Sequence, residues 1–291
     1  MTNSEMIVVT GATGQLGRLV VAELLQAAPW AHVIGLVRNV AAAEALADSG
    51  VELRRADYDD PASIATALAG AGKLLLISSS EMGRRRVAQH RNVIDAATAS
   101  RMKLLVYTSL LHADKSPMAL ADGHRDTEAL IRASGVPFVF LRNGWYTENY
   151  AANAPMAVRH GTVLGAAGDG RISSAARADF AAAAAAVLAS PHSHAGVVYE
   201  LAGDTAYTLT EFAAEIARQS GKLVTYNDLS EAEYRAALLS SGLPEAFAEI
   251  YAESDAKAAR GWLYNDSRQL SRLIGRPTTT MAQSVVTALS M

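Results

Sequence analysis

Short, continuously apolar runs recur along the first half of the chain, at Ile7–Val9, Val33–Val37, Leu74–Ile77, Leu104–Val106 and Phe138–Leu141, with a weaker one at Val51–Arg54 after Gly50. Runs without polar alternation suit strands buried on both faces, and parallel strands need crossovers of a dozen residues or more, which the intervals supply. The first crossover carries Leu16, Leu19, Val20, Leu24 and Ala27 on a helical stripe and is stopped by Pro29. The pattern predicts an α/β fold, a Rossmann-type doubly wound parallel sheet over residues 1–140. From 141 to 291 strands are fewer and helices more numerous, among them Asp179–Leu188 with Asp179 as N-cap, and Thr208–Gln219, opened by the capping box Thr208-Leu209-Thr210-Glu211. No linker or shift of composition separates the parts. The second is therefore expected to be a smaller, mostly helical substrate-covering lobe, continuous with the first and sharing its sheet.

Composition narrows the class of protein. Half of the 291 residues are hydrophobic, 19% are charged, and 26 Lys and Arg nearly balance 29 Asp and Glu, a globular balance with no electrostatic footprint for nucleic acid. Zero Cys removes disulfides, thiolate metal sites and cysteine nucleophiles, and suits a reducing compartment. The longest purely apolar run, Phe180–Ala189, is too short to cross a bilayer, and Met6–Val9 lacks the basic flank and length of a signal peptide. The expectation is a cytoplasmic protein with no membrane partner; monomer and homo-oligomer both stay open.

The chemistry is carried by Thr10-Gly11-Ala12-Thr13-Gly14-Gln15-Leu16-Gly17, which follows the first strand and opens the first helix. Gly11 permits a tight turn, Gly14 a close approach of backbone to a pyrophosphate, and Gly17 close helix packing, while the helix N-terminus offers free N–H groups to the anion. Where an NAD site places an acid about 20 residues further on, this chain has Val37 followed by Arg38, a cation suited to a 2′-phosphate, so NADP(H) is the expected cofactor. Arg18 either assists or is simply exposed. Asp57 either accepts from an adenine amino group or belongs to an acidic cluster capping the helix at Pro61. Ser78, Ser79 and Ser80 follow a buried strand at the expected dinucleotide crevice. Arg84-Arg85-Arg86 reads as a solvated helix face, and His192-Ser193-His194 as a solvated loop; no metal is expected.

These residues resemble a known family. The Gly motif, Val37-Arg38-Asn39, Leu76–Ser80 and Gln89-His90-Arg91-Asn92-Val93 are similar to the NmrA-like atypical short-chain dehydrogenase/reductases. Tyr107–Asp114, Leu141–Tyr146 and Ile274–Thr278 resemble its bacterial NADPH:quinone oxidoreductase 2 type, over nearly the whole chain. The resemblance implies flavin-free hydride transfer from NADPH to a quinone or related aromatic acceptor. It implies cofactor contacts from Gly11, Ala12, Thr13, Gly14, Gln15, Leu16, Arg38, Ser78, Ser79, Ser80, Arg142, Asn143, Gly144, Trp145 and Tyr146. Asn143 and Tyr146 are the catalytic candidates, and Trp145, Tyr146 or His112 the candidates for lining the acceptor site.

One departure is informative. Orthodox relatives use a Tyr-x-x-x-Lys pair, whereas the equivalent stretch here is His124-Arg125-Asp126-Thr127-Glu128, which argues against an ordinary carbonyl dehydrogenase. Quinone reduction demands less, because the hydroquinone anion is delocalised and takes its proton from solvent; His124 is read as structural before acid. The alternatives are a catalytically inactive NADP(H)-sensing regulator, which the missing pair also permits, and a reductase of triphenylmethane dyes, imines or small carbonyl acceptors.

Overall fold

A computed structural model describes residues 5–290. The chain runs β1 (Met6–Val9), α1 (Gln15–Ala27), β2 (His32–Val37), α2 (Glu44–Ala47), β3 (Glu52–Arg55), α3 (Pro61–Ala67), β4 (Lys73–Leu76), α4 (Gly83–Ala99), β5 (Leu104–Leu110), α5 (Ala119–Ser134) and β6 (Phe138–Asn143). It continues with α6 (Glu148–Ala151), α7 (Ala154–His160), β7 (Thr162–Gly165), α8 (Arg177–Ala189), β8 (Val198–Leu201), α9 (Leu209–Ser220), β9 (Thr225–Asp228), α10 (Glu231–Ser240), α11 (Glu245–Ala258), α12 (Gln269–Ile274) and α13 (Met281–Leu289).

Seven strands form one sheet in the order β3-β2-β1-β4-β5-β6-β8, and every pairing from β3 to β6 is parallel. The order reverses between β1 and β4, which opens a crevice at their carboxyl ends where doubly wound folds bind ligands. The apolar runs become these strands because helices cover both faces: β1 is buried from Ile7 to Val9, and β5 over all seven residues. β5 and β6 extend past the predicted Val106 and Leu141 to Leu110 and Asn143, carrying Thr108, Ser109, Arg142 and Asn143 into the sheet. These polar residues broke the apolar pattern.

The chain divides into two compact units. The first holds the chain up to Asp114, Leu120–Asn143 and Arg177–Tyr199; the second holds Lys115–Ala119, Gly144–Ala176 and the chain from Glu200. The return of Arg177–Tyr199 to the first unit has a packing reason. The buried alanines of α8 let it lie along α1, and Lys73 Nζ donates to Leu188 O at 2.7 Å. α8 starts at Arg177, two residues before the expected cap, since Arg177 and Ala178 both favour helix; Asp179 sits in its first turn, fully buried.

In the second unit, the predicted capping box is present: Thr208 Oγ1 accepts from Glu211 N, and Glu211 returns the bond to Thr208 N. β7 and β9 form a separate two-stranded parallel sheet. Asp255, on α11, is buried in this unit and accepts from Tyr150 Oη at 2.6 Å and Ala166 N at 3.1 Å; burial pushes its carboxyl up to about 6. Among the described residues no helix is long and apolar enough to cross a membrane.

Candidate functional site: a cleft at the strand-order switch

A cleft of about 490 Å³ opens in the first unit at the carboxyl ends of β1 to β4. One wall is backbone. Gly14 N donates to Gly11 O at 2.9 Å, closing a turn in which Gly11 has φ +58°, and α1 begins at once with Gly14 as its N-cap. No side chain caps that helix and no acid stands in its first turn, so its N–H groups and positive dipole end are left for an anion. A Cβ on Gly14 would lie 3.2 Å from Gly11 O, and one on Gly17 would lie 2.2 Å from the same atom. Gly17 is thus what lets α1 pack onto the loop that precedes it.

The other walls are side chains. Val37 and Arg38 line the cleft at the end of β2, and Arg38 is exposed, with its cation at the mouth. Asp57, Tyr58 and Asp59 come from the β3–α3 connection. The helix cap there is Asp60, which accepts from Ser63 N at 3.1 Å; Asp57 accepts from Asp59 N at 3.0 Å and lines the cleft. Ile77 to Glu81 close the far side, with Arg85 and Gln89 from α4.

Hydrogen bonds fix the segment after β4. Thr10 Oγ1 accepts from Ile77 N at 2.9 Å and from Tyr58 Oη at 2.5 Å, and Ser78 N donates to Thr108 Oγ1 at 2.9 Å. Ser79 N donates to His90 Nε2 at 2.9 Å. Thr127 Oγ1 donates to Gly123 O, so it accepts from His90 Nδ1, and the imidazole is neutral with its proton on Nδ1. Burial, helped by the nearby Arg86, pushes His90 down to about 3 and keeps it an acceptor at any ordinary pH. Ser79 Oγ meets Gln89 Oε1, and Gln89 Nε2 donates to Asp59 Oδ2 at 3.0 Å, which also pairs with Arg85. Tyr58, Thr108, His90, Gln89 and Asp59 therefore hold the site, although sequence reasoning gave them no such part. Tyr58, Thr108 and Asp59 find their partners 30 to 48 residues away, and only the Gln-His pair, 10 and 11 residues from Ser79, stood out beforehand, within a family-like segment.

The expected site residues divide by position. Gly11, Thr13, Gly14, Arg38, Ser78, Ser79 and Ser80 are gathered around the cleft. Ala12 and Leu16 are buried beneath it, and Gln15 is exposed on the first turn of α1. Arg142, at the end of β6, does not line the cleft. Its guanidinium donates to Glu128 at 2.9 and 2.8 Å and to Asp114 at 2.6 Å, with Ser109 Oγ donating to the same Glu128. Asn143 is buried beside it, its Oδ1 without a hydrogen bond. Gly144, Trp145 and Tyr146 belong to the second unit. There Gly144 N donates to Leu201 O, Trp145 stands edge-on to Tyr251, and Tyr146 bridges to Ala175.

Two readings of charged residues need correction or completion. The Arg84–Arg86 run is not uniformly a solvated face. Arg84 and Arg85 are exposed, but Arg86 is buried, donating to Glu81 O at 2.7 Å and facing His124 Nε2 at 3.4 Å. Three consecutive residues cannot share one helix face, and the third turns inward. His124 is buried behind β5 against Tyr107 Oη at 2.8 Å, and burial holds it well below the usual imidazole range. It is no solvent-fed acid. Burial pushes the Tyr58 and Tyr107 phenols up, so no phenolate base stands at the cleft. Such a site can bind and orient a ligand.

The residues present fit a dinucleotide: an uncapped helix N-terminus behind a glycine turn, a cation at the end of β2, and a buried Ser78 Oγ lacking a well-formed hydrogen bond. Comparison with known proteins agrees. The chain is 57% identical over 280 residues to quinone oxidoreductase 2 of Escherichia coli (strain K12), covering 96% of this chain and 97% of that one. The crystal structure of an Escherichia coli NADPH-dependent quinone oxidoreductase complexed with NADPH superposes with a TM-score of 0.94 at 56% identity, covering 98% and 100% of the two chains. The Citrobacter sp. triphenylmethane reductase complexed with NADP(H) superposes with a TM-score of 0.93 at 38% identity, covering 97% and 99%. The NmrA-like family model matches residues 3–270, and the chain belongs to the NmrA-like family.

Proposed function

We propose that this chain is an NADPH-dependent, flavin-free reductase that transfers hydride to quinones. The observation that carries this reading is the match, at 57% identity and nearly full length on both sides, to a quinone oxidoreductase; the glycine-built cleft with Arg38 at its mouth supplies the means. Gly11, Thr13 and Gly14 with the first turn of α1 hold the pyrophosphate, Arg38 the 2′-phosphate, and Ser78 to Ser80 the middle of the dinucleotide. Bound NADPH supplies two electrons and one proton as hydride, and water supplies the second proton that completes the hydroquinone. The protein orients donor and acceptor and keeps water from competing. Asn143 and Tyr146 are the residues assigned to the reacting end, and Gly144 and Trp145 flank them. A reducing cytoplasm, where NADPH is replenished, is the setting that suits a chain with no cysteine.

The test is NADPH and NADH oxidation recorded with a benzoquinone, a naphthoquinone, a triphenylmethane dye and no acceptor. Sustained turnover with quinones and a preference for NADPH is expected. Preference for the dye would move the substrate toward the Citrobacter relative. Dinucleotide binding without turnover would make the chain a sensor and end the enzyme reading.

A further inference from the structure

A cleft that takes a dinucleotide has to offset several negative charges, yet among the described residues its charged lining is Arg38 and Arg85 against Asp57, Asp59 and Glu81. The carboxylates outnumber the cations. Arg85 meets two of them, reaching Asp59 Oδ2 at 3.1 Å and Glu81 Oε2 at 3.6 Å. Asp59 belongs to the β3–α3 connection and Glu81 to the segment after β4, so this one guanidinium neutralises carboxylates on two different walls of the cleft. Arg38 is left as the cation without a carboxylate of its own wall to answer.

The fold itself has little use for Arg85. Arg84, Arg85 and Arg86 follow Gly83 at the start of α4, whose first turn holds no acid, although a helix dipole disfavours cations there. Arg86 is accounted for by its burial and its bond to Glu81 O. The side chain of Arg85 is 64% exposed, and ion pairs exposed to this degree hold their partners weakly. A cation set against the dipole, weakly paired and standing in the cleft wall is open to exchange its carboxylates for a stronger anion. Arg84 is exposed as well and carries the same charge, but it stands outside the lining of the cleft.

From its place in the wall and its two carboxylate partners, we infer that Arg85 is a second specificity-determining cation of the cofactor site, which favours the dinucleotide bearing a 2′-phosphate and masks Asp59 and Glu81 from it. This rests on the NADPH reading above. Without Arg85, two bare carboxylates face a polyanion, and the repulsion is greater for NADPH than for NADH, which lacks the charge of the 2′-phosphate. Glu81 in turn competes with the cofactor for Arg85. Its exposed carboxylate thus tempers NADPH binding, and neutralising it releases the guanidinium toward the ligand. Asp59 is less free to be exchanged, because Gln89 Nε2 also donates to it at 3.0 Å.

The neighbouring arginine gives the test its control. NADPH and NADH are titrated separately into wild type, Arg85→Gln, Arg85→Lys, Glu81→Gln and Arg84→Gln, each checked for the wild-type unfolding midpoint. Arg85→Gln should raise the NADPH Kd about fivefold and the NADH Kd by less than about twofold, and the difference should shrink in about 0.5 M salt. Arg85→Lys keeps the charge and should recover most of the loss. Glu81→Gln should lower the NADPH Kd about twofold, and Arg84→Gln should leave both constants within about twofold of wild type. An Arg85→Gln variant that changes neither constant, or raises both by the same factor, overturns the inference. So does an Arg84→Gln variant that matches it, since the effect is then the field of the whole helix, or a Glu81→Gln variant that weakens NADPH binding. A wild type that binds neither dinucleotide, or binds NADH as tightly as NADPH, would instead overturn the reading on which the inference rests.

Discussion

At the ends of β1 and β2 the wall of the site is backbone: a glycine turn, a bare helix N-terminus and strand ends with small or apolar side chains. Two strands away, at the ends of β5 and β6, the same edge is charged side chains, with Arg142 locked between Glu128 and Asp114 and Ser109 donating to Glu128. The first arrangement leaves its hydrogen-bonding groups open toward a ligand; the second spends them on each other. The difference sets open groups apart from paired ones, and Arg142 stands among the paired. By kinship the residue reads as a cofactor contact, yet its guanidinium is 7% exposed and paired on two sides with carboxylates.

The sharpest way to break that contrast is to remove the clamp. Arg142→Ala leaves the buried Glu128 with only the half-exposed Arg132 at 3.6 Å, and breaking a buried pair typically costs about 3–5 kcal/mol, of which the lower end is expected here. Urea unfolding should show that loss. A variant that keeps wild-type stability and loses only NADPH affinity would return Arg142 to the cofactor.

Gly17→Ala attacks the backbone wall in turn. The added Cβ would meet Gly11 O at 2.2 Å and Ala12 Cα at 2.9 Å, neither of which is the movable end of a side chain. Overpacking of this kind costs about 1–3 kcal/mol, and here the upper end is expected together with weakened NADPH binding, because the displaced loop is the phosphate cradle. Unchanged unfolding and unchanged affinity would mean that the turn adapts freely.

The second unit offers a side-chain-built centre to set beside the clamp. Asp255 has its carboxyl raised to about 6 by burial, above its ordinary value near 3.8. A raised carboxyl is protonated in the fold where the unfolded chain has already ionised. Its stabilising contribution is therefore full below about pH 4 and is lost as pH rises toward 6, by about 2–3 kcal/mol in all. Wild-type stability minus that of Asp255→Asn should fall across this window; a difference independent of pH would show that the carboxyl ionises alike in both states.

How much of this was legible follows from the same contrast. The glycine turn, the strand after it and the Val37-Arg38 end are local in sequence, since backbone geometry demands particular residues at fixed offsets, and reading them located the cleft. The Thr208 capping box was legible for the same reason. The latches were not. Tyr58 to Thr10 and Ser78 to Thr108 join positions brought together only by the crossovers, and Arg86 looked like its two exposed neighbours until the helix phase turned it inward. β9 escaped because Thr225-Tyr226-Asn227-Asp228 is polar and mostly exposed, with no apolar run to announce it, and β7 because its apolar run is only Val163-Leu164. α8 announced itself as a helix, yet its membership of the first unit depends on packing against α1.

The smallest of the expected effects is the most specific. Arg38 is exposed at the mouth of the cleft, so solvent and salt screen it, and Arg38→Ala should raise the NADPH Kd about tenfold while leaving NADH nearly unchanged. Arg38→Asp should reverse the preference, since it adds repulsion to the lost attraction. Equal NADPH/NADH ratios in all three proteins would reduce Arg38 to a surface charge.

The central claim is that a dinucleotide in this cleft gives up its hydride to a quinone, with no flavin between them. An anaerobic titration that follows NADPH consumed against hydroquinone formed tests it most directly, with Gly14→Val as the control whose branched side chain fills the pyrophosphate's place. The account predicts one hydroquinone per NADPH over many turnovers in the flavin-free wild type, and loss of saturable NADPH dependence in the folded control. Consumption of NADPH without matching hydroquinone, or full activity with the cleft so filled, would contradict it.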